Sequence, residues 1–564
     1  MIDREMLEEF LPQVRKPARY IGREWNAVKK DLSKASVKIA LSFPDMYEVG
    51  MSHLGYKLVY HLLNERDDTA CERVFMPDVD LLEILKSRAI PLFSLESKEA
   101  LGNFDILGFT LAYELSYTNV LNILRLGRIP LRSSERGEEH PLVIAGGPSV
   151  FNPEPMADFI DLFFIGEAED AAAEIIDVFK RCRREKKTKR ELLKSLARID
   201  GVYVPSFYKV SYNADGTIQA FDPVDKDIFD VVRKRSVESL NGSYYPTKQI
   251  VPYISVVHDR AAIEIMRGCP HQCKFCQATV LYRHKRERKA EEVIRLAEET
   301  VRETGYEEVS LLSLSSGNHS EIIKIITTLI DNFKDRGISL SLPSLRIEKI
   351  LKEFPQILSK IKKSGLTFAP EAGSERLRSA MNKKIDIGQL KETVTAACDS
   401  GWGRVKLYFM IGLPGETKED VDGIIDTLNA VLSAHRRIQI NASVNSFIPK
   451  PHTPLQRSGM NRDGDLAEKI SYIKKRVRTG RIKLKFHDTR LSMLEGVFSL
   501  GDRRLGGVIH RAFQKGCRLD GWTEHINFGA WSEAFAEEGI DPGFYTYREK
   551  PADEILPWGQ IETG

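Results

Sequence analysis

The 564-residue sequence contains no run of roughly 18 apolar residues, which excludes an ordinary membrane-spanning helix. Its first residues, Met1-Ile2-Asp3-Arg4-Glu5, lack the apolar core of a secretory signal, so a cytoplasmic protein with no membrane partner is expected. It also has almost no charge imbalance. With 83 Lys+Arg against 80 Asp+Glu, the net charge of +3 excludes a general polyanion binder. Cationic runs are local, at 180–190, 283–289 and 474–485, and the first reads as a solvated helix face. Cysteine is scarce. Of seven, Cys71, Cys182, Cys398 and Cys517 are scattered singly, which excludes a disulfide framework and leaves Cys269, Cys273 and Cys276 as a cytosolic metal-site pattern.

At 42% hydrophobic and 29% charged the composition is that of a folded protein, too long for one core. Residues 1–35 read as a helical segment. From 36 to 190, short apolar strands at Val37–Phe43, Arg73–Met76, Ile90–Ser94, Asp105–Leu111, Leu142–Ala145 and Leu162–Ile165 alternate with helical stretches. That alternation predicts a doubly wound, Rossmann-like α/β domain with a parallel sheet. Several of its strands end in small residues, such as Gly146-Gly147 and Gly166-Glu167, where such sheets bind ligands. Residues 191–257 read as a β-rich connector, with a hairpin turning at Asn213-Ala214-Asp215-Gly216. From 258 to 485, six strand–helix repeats predict a partial (β/α)6 barrel, and residues 486–564 read as a small helical C-terminal domain.

After the first strand of the second array the chain reads Arg267-Gly268-Cys269-Pro270-His271-Gln272-Cys273-Lys274-Phe275-Cys276. Three thiolates from one loop leave the fourth iron of a cubane open to an exogenous ligand, as a catalytic cluster needs. The competing reading is a zinc knuckle that borrows His271 or His284 as a fourth ligand.

This C-x3-C-x2-C motif, with Phe275 before the last cysteine and on the first loop of a βα array, resembles the radical S-adenosylmethionine (SAM) superfamily. The resemblance implies a [4Fe–4S] cluster on Cys269, Cys273 and Cys276, SAM on the open iron, an enzyme that cleaves SAM reductively to a 5′-deoxyadenosyl radical, and an external electron donor such as flavodoxin or ferredoxin. It also implies SAM contacts from Ser315, Ser316 and Gly317, which stand where the family has a Gly-Gly-Glu-like loop but lack its acid. Further contacts are implied for Ser344 and Arg346, for Glu371 and Ser374, and for Gly412 and Pro414. Ser374 and Thr417 are also natural helix N-caps.

A doubly wound domain ahead of such a barrel resembles the cobalamin-binding radical SAM class. The implied cobalamin contacts are His53, Thr110, Gly146, Gly147, Gly166 and Glu167, although Met51-Ser52-His53-Leu54-Gly55 departs from the Asp-x-His-x-x-Gly of histidine-ligating modules. A domain that kept the fold and lost the cofactor fits the same residues. The whole chain resembles a group carrying Phe447-Ile448-Pro449-Lys450-Pro451-His452-Thr453-Pro454. Cobalamin-dependent methyl transfer to an unactivated carbon is the first expectation. The alternatives are methylthiolation or rearrangement with a structural N-terminal domain, and an RNA- or ribosome-associated modification factor. The substrate, small molecule or macromolecule, stays open.

Overall fold

The computed structural model describes residues 4–341 and 366–564. Two parallel α/β arrays account for most of it. The first is a six-stranded sheet in the order β2-β1-β3-β4-β5-β6, built from β1 (Val37–Phe43), β2 (Thr69–Phe75), β3 (Ile106–Thr110), β4 (Leu142–Gly146), β5 (Leu162–Phe164) and β6 (Val202–Tyr203). Strands β1 to β5 are parallel and β6 closes the edge antiparallel. Strand β1 reads Val-Lys-Ile-Ala-Leu-Ser-Phe and is almost wholly buried, as a strand covered on both faces must be.

Strand β2 begins four residues before the expected start at Arg73, and its two charged residues, Glu72 and Arg73, are both buried. Arg73 is completely enclosed, with Nη2 donating to Glu24 Oε2 at 2.6 Å and Nε to Glu96 Oε1 at 2.6 Å. Glu72 accepts from Ser94 and Ser97. Paired in this way, charged side chains tolerate a core position that their chemistry alone would forbid.

The strand expected at Ile90–Ser94 is not formed. Pro91 has no N–H to donate, the Leu92 N–H is taken by Leu126 O, and only a single bridge, Phe93 to Ala100, remains. Beyond the first sheet, β7 (Tyr208–Tyr212) and β8 (Ile218–Pro223) form the expected antiparallel hairpin, and β9 (Val232–Arg233) pairs with Ile561–Glu562 near the C-terminus.

Among the described residues the second array has seven parallel strands. Three form one sheet: β10 (Ala261–Glu264), β13 (Glu308–Leu312) and β14 (Ser339–Ser341). Four form another: β15 (Leu366–Glu371), β16 (Arg404–Ile411), β17 (Gln439–Ser446) and β18 (Ile482–Phe486). Between β10 and β13 lies a short antiparallel pair, β11 (Met266–Arg267) with β12 (Arg286–Glu287). This is the architecture of a partial barrel, with one more strand than the six expected. The extra strand, Ile-Lys-Leu-Lys-Phe, has lysine at every second position, which hides it from a search for apolar runs.

The C-terminal helices Thr489–Leu500, Leu505–Gln514 and Phe528–Glu537 do not enclose a core of their own. Their apolar residues, among them Leu494, Val497, Val508 and Trp531, belong to the core of the first sheet. Phe498 packs edge-on against Tyr117 and Trp531, and Thr118 donates to Asp520 Oδ2 at 2.5 Å. No described helix is long and apolar enough to cross a membrane.

Candidate functional site

The cysteine loop leaves β11 at Gly268. This residue has φ +86°, and a Cβ there would stand 2.6 Å from Tyr282 O, so the tight turn requires glycine. Cys269, Cys273 and Cys276 are all partly exposed, whereas Cys71, Cys182, Cys398 and Cys517 are buried in separate elements. Cys276 N donates to Cys273 O at 3.1 Å, and Cys276 caps the helix Gln277–Leu281.

The outer half of the loop rests on the segment after the helix Glu375–Ala380. Lys274 N donates to Met381 O at 3.1 Å and Asn382 Nδ2 to Gln272 O at 2.8 Å. Burial raises the Cys273 thiol pKa, and the neighbouring Lys383 ammonium opposes that rise. Lys383 also lies 3.6 Å from Glu371, a non-glycine residue at φ +68° on the bulged end of β15. Burial raises the Glu371 carboxyl, again against Lys383. Glu371 and Lys383 therefore form a charged pair beside the thiols, and sequence reasoning missed Lys383.

Ser315, Ser316 and Gly317 follow β13, and both serines are buried. Asn318 joins them to the cysteine loop: its Oδ1 accepts from Ser315 Oγ at 2.7 Å and lies 2.7 Å from His271 Nε2. His271 is thus engaged by an amide. Among the described residues no three His, Cys, Asp or Glu side chains converge on a position for a single metal ion. The chemistry of the set fits a cubane: three soft sulfur donors on one loop, partly exposed, with a polar rim from the next strand.

Ser374 accepts from Leu377 N at 3.1 Å as an N-cap and donates to Asp420, so its hydroxyl is committed to the fold. Gly412 N donates to Glu416 Oε1 at 3.0 Å, and Gly412 and Pro414 shape the turn after β16. Phe275 packs with Met381, Met410, Leu413 and Phe447 in a small apolar cluster beside the thiols. Ser344 and Arg346 lie outside the described residues.

A cavity of about 540 Å³ opens against the base of this loop. Its inner walls are one face of the first sheet (Ile39, Leu41, Gly108, Ile144) and the helices Leu54–Asn64 and Ala168–Arg184 (Leu58, Ala172, Ile175). Its far end is made by Met266, Arg267, Gly268 and the Leu312–Leu314 segment. Thr110, Gly146, Gly147 and Gly166 line it at the carboxyl ends of the strands. Added Cβ atoms at Gly108 and Gly146 would meet only Leu41 Cδ1 at 3.4 Å and Phe164 O at 3.7 Å, so these glycines leave real space. Apolar walls with a polar, glycine-lined rim at a sheet's carboxyl edge fit a large, mainly apolar cofactor.

Two of the expected cofactor contacts, both at the cavity, carry fold bonds as well. His53 lines the cavity, but its Nδ1 accepts the Tyr56 N–H at 3.1 Å as the N-cap of Leu54–Asn64. In the neutral ring that bond puts the proton on Nε2, so neither nitrogen has a free lone pair for cobalt. Burial holds the ring neutral, with its pKa lowered to about 4. Glu167 lines the cavity as expected and is also a junction. It accepts from both Nη atoms of Arg286 at 2.7 Å and from Val237 N at 2.8 Å, and lies 3.2 Å from Arg267.

Arg267 also binds Glu169 at 2.7 Å and Glu264 at 2.8 Å. This residue ties the cavity wall directly to the loop carrying the cysteines. Its only signal in the sequence is adjacency to Gly268-Cys269.

The Phe447–Pro454 motif is a seam between the arrays. Lys450 Nζ binds Glu114 at 2.9 Å, Glu495 at 2.8 Å and Ser499 at 2.7 Å, which uses all three of its donors. His452 Nε2 lies 2.9 Å from Phe151 O.

Residues 55–205 match the family described as Radical SAM proteins, N-terminal, and residues 263–428 match the Radical SAM superfamily. Uncharacterized protein MJ0966 of Methanocaldococcus jannaschii is 29% identical over 472 residues, covering 83% of this chain and 89% of its own. The anaerobic magnesium-protoporphyrin IX monomethyl ester cyclase of Cereibacter sphaeroides is 25% identical over 69% of this chain and 58% of its own. Among solved structures, the radical SAM methyltransferase TsrM from Kitasatospora setae, with cobalamin and a [4Fe-4S] cluster bound, has a TM-score of 0.46 at 14% identity, covering 74% of each chain. The chain therefore carries a Radical SAM superfamily domain at residues 263–428, which holds all three cysteines, preceded by a Radical SAM N-terminal domain at residues 55–205.

Proposed function

We propose that this radical SAM enzyme carries its [4Fe–4S] cluster on Cys269, Cys273 and Cys276, binds cobalamin in the cavity of the N-terminal array, and methylates an unactivated carbon of its substrate. The observation that carries the reading is the continuity of that cavity with the cysteine loop, through Met266, Arg267 and Gly268. When bound, the cluster with SAM supplies a 5′-deoxyadenosyl radical, and cobalamin supplies a carrier for the methyl group.

The chain's own residues bind, orient and exclude water. Phe275 and its apolar neighbours shield one side of the thiols. The Ser315–Asn318 loop offers hydroxyls and backbone carbonyls to the amino group of SAM, in place of the family's missing carboxylate. Lys383 supplies positive charge next to Cys273 and to Glu371. The glycine rim at 146, 147 and 166 allows a macrocycle to approach the backbone, and His53 stays on its helix, so cobalamin would be held without a protein ligand to cobalt. A cytoplasmic setting, with an electron donor docking near the exposed loop, completes the reading.

The test is anaerobic turnover with dithionite and methyl-labelled SAM. The reading requires 5′-deoxyadenosine from the wild type and none from Cys273→Ala, with label on bound cobalamin. Formation of 5′-deoxyadenosine without any label on cobalamin would retain radical chemistry and reject methyl transfer.

A further inference from the structure

The four-stranded half of the barrel has two unlike faces. Val405, Leu407, Phe409 and Ile411 of β16, with Ile440, Ala442 and Val444 of β17, are buried in the core of this array. The opposite face carries Arg404, Lys406 and Tyr408 on β16, Asn441 and Ser443 on β17, and Lys483 and Lys485 on β18. The four cations are all exposed. Register places them in rows. Lys406 pairs with Asn441, which pairs with Lys483; Tyr408 pairs with Ser443, which pairs with Lys485.

A parallel sheet is normally apolar on both faces, so a cationic face needs a reason. Lysines on an edge strand can simply protect the edge, and that covers Lys483 and Lys485 on β18. It does not cover Arg404 and Lys406, which stand on an inner strand between β15 and β17. Among the described residues none of these four cations forms an ion pair or a side-chain hydrogen bond, whereas cations at the cavity and the cysteine loop, such as Arg267, Arg286 and Lys383, are paired. The hydroxyl of Ser443 and the amide of Asn441 between them are uncommitted as well.

The face points toward the chemistry. Met410, next on the same side of β16, packs against the small apolar cluster that Phe275 of the cysteine loop also packs against. At about 3.3 Å per residue Lys406 lies about 13 Å below that contact, and the Lys406 and Lys483 backbones, two strands apart, are about 10 Å from each other.

We propose that this face binds phosphate groups of the substrate, held by Lys406, Lys483 and Lys485 with Asn441, Ser443 and Tyr408, Lys406 standing about 13 Å along β16 from Met410 at the end nearer the cysteine loop. Phosphate matches a set that mixes ammonium groups with neutral donors, because each oxygen accepts several charge-assisted bonds. The substrate is then a phosphate-bearing molecule whose reacting carbon lies well away from its phosphates, either a free phosphorylated metabolite or RNA. The inference rests on the radical SAM reading for the reacting end only; anion binding by the face does not depend on the cluster.

The test is titration calorimetry of the full-length protein with inorganic tripolyphosphate, with a short single-stranded RNA, and with citrate. It compares the wild type, Lys406→Gln/Lys483→Gln/Lys485→Gln, the corresponding triple Lys→Arg protein, and Lys474→Gln/Lys475→Gln as a control on the outer basic helix. At least one phosphate ligand binds the wild type, the Lys→Arg protein and the control, and the triple Gln protein loses about tenfold affinity for each charge removed. Tripolyphosphate alone identifies a small phosphorylated substrate; RNA binding lost with the same lysines identifies RNA. Absence of binding to either phosphate ligand, equal binding by the triple Gln protein, or equal affinity for citrate overturns the proposal. Iron content stays at the wild-type value in every variant, and substrate-free SAM cleavage is measured on the wild type. Their failure in the wild type would reject the enzymatic reading while leaving the binding result intact.

Discussion

Filling the N-terminal cavity separates cofactor binding from folding. In Gly108→Val/Gly146→Val, two strand glycines gain side chains that suit a β-strand. The first atom added at Gly108 meets Leu41 Cδ1 at 3.4 Å, and at Gly146 it meets Phe164 O at 3.7 Å, so neither substitution collides with the backbone. Both residues line the cavity of about 540 Å³, and the new methyls project into it. Each buried carbon is worth about 0.8 kcal/mol of transfer free energy, so each valine gains about 2 kcal/mol before the cost of its own ordering. Removing glycine from a strand interior adds a further fraction of a kcal/mol.

The apo protein is therefore as stable as wild type or more so in urea. A cofactor that needs that space meets overpacking of about 1–3 kcal/mol per side chain, or about tenfold to hundredfold in affinity each. The assay is cobalt retained after desalting, alongside the urea midpoint and iron content. The expected pattern is lost cobalt with unchanged iron and an unchanged or raised midpoint. Wild-type cobalt retention by this variant would refute the placement of cobalamin, and a large drop in midpoint would refute the claim that the space is open.

Cys273→Ala removes one of three proposed cluster ligands, and reconstituted iron and its visible absorbance are expected to be lost while the fold is kept; full iron loading would reject the ligand set. His53→Ala costs about 1 kcal/mol, the worth of an N-cap, and leaves cobalamin affinity and the electron paramagnetic resonance of its reduced form unchanged; loss of nitrogen coupling to cobalt would show that His53 ligates after all. Glu167→Gln strips the charge that joins Arg286 and Arg267, costing about 3–5 kcal/mol at the junction, and is expected to expose the cysteine loop to limited proteolysis; unchanged cleavage would make the junction incidental. Burial lowers the pKa of His53 and His452 to about 4 and that of His61 to about 3. A lowered native pKa means that the stability these rings contribute is fully present above their unfolded value near 6.5 and is lost as pH falls toward 4. Urea midpoints are therefore expected to fall across that window, and a flat profile would contradict their burial.

The cysteine motif was legible because its chemistry sits in three residues of one loop, and the order of strand loops behind it was legible from apolar periodicity. What the sequence concealed involved charge in unexpected places. Buried Glu72 shortened the apparent β2 to a start at Arg73, since a hydrogen-bonded core charge looks like a surface one. Lys483 and Lys485 disguised β18, so the sequence reads as a barrel of six strands. The strand-like run at Ile90–Ser94 failed on one proline, whose effect depends on which partners lie alongside. Glu167 and His53 show the limit of motif reading at the site: each stands at the cavity, yet the partners that decide its role, Arg286 and the Tyr56 amide, are settled only by folding. The C-terminal helices looked separable because nothing local reveals that Phe498 and Trp531 complete a core begun near Tyr117.

The most direct test is metal analysis of the wild-type protein after anaerobic cluster reconstitution, incubation with hydroxocobalamin and desalting. Stoichiometric cobalt together with a full complement of cluster iron is the result expected if the cavity and the cysteine loop form one active site. Full iron with no retained cobalt would contradict that claim and leave the N-terminal array as a scaffold beside a radical SAM centre.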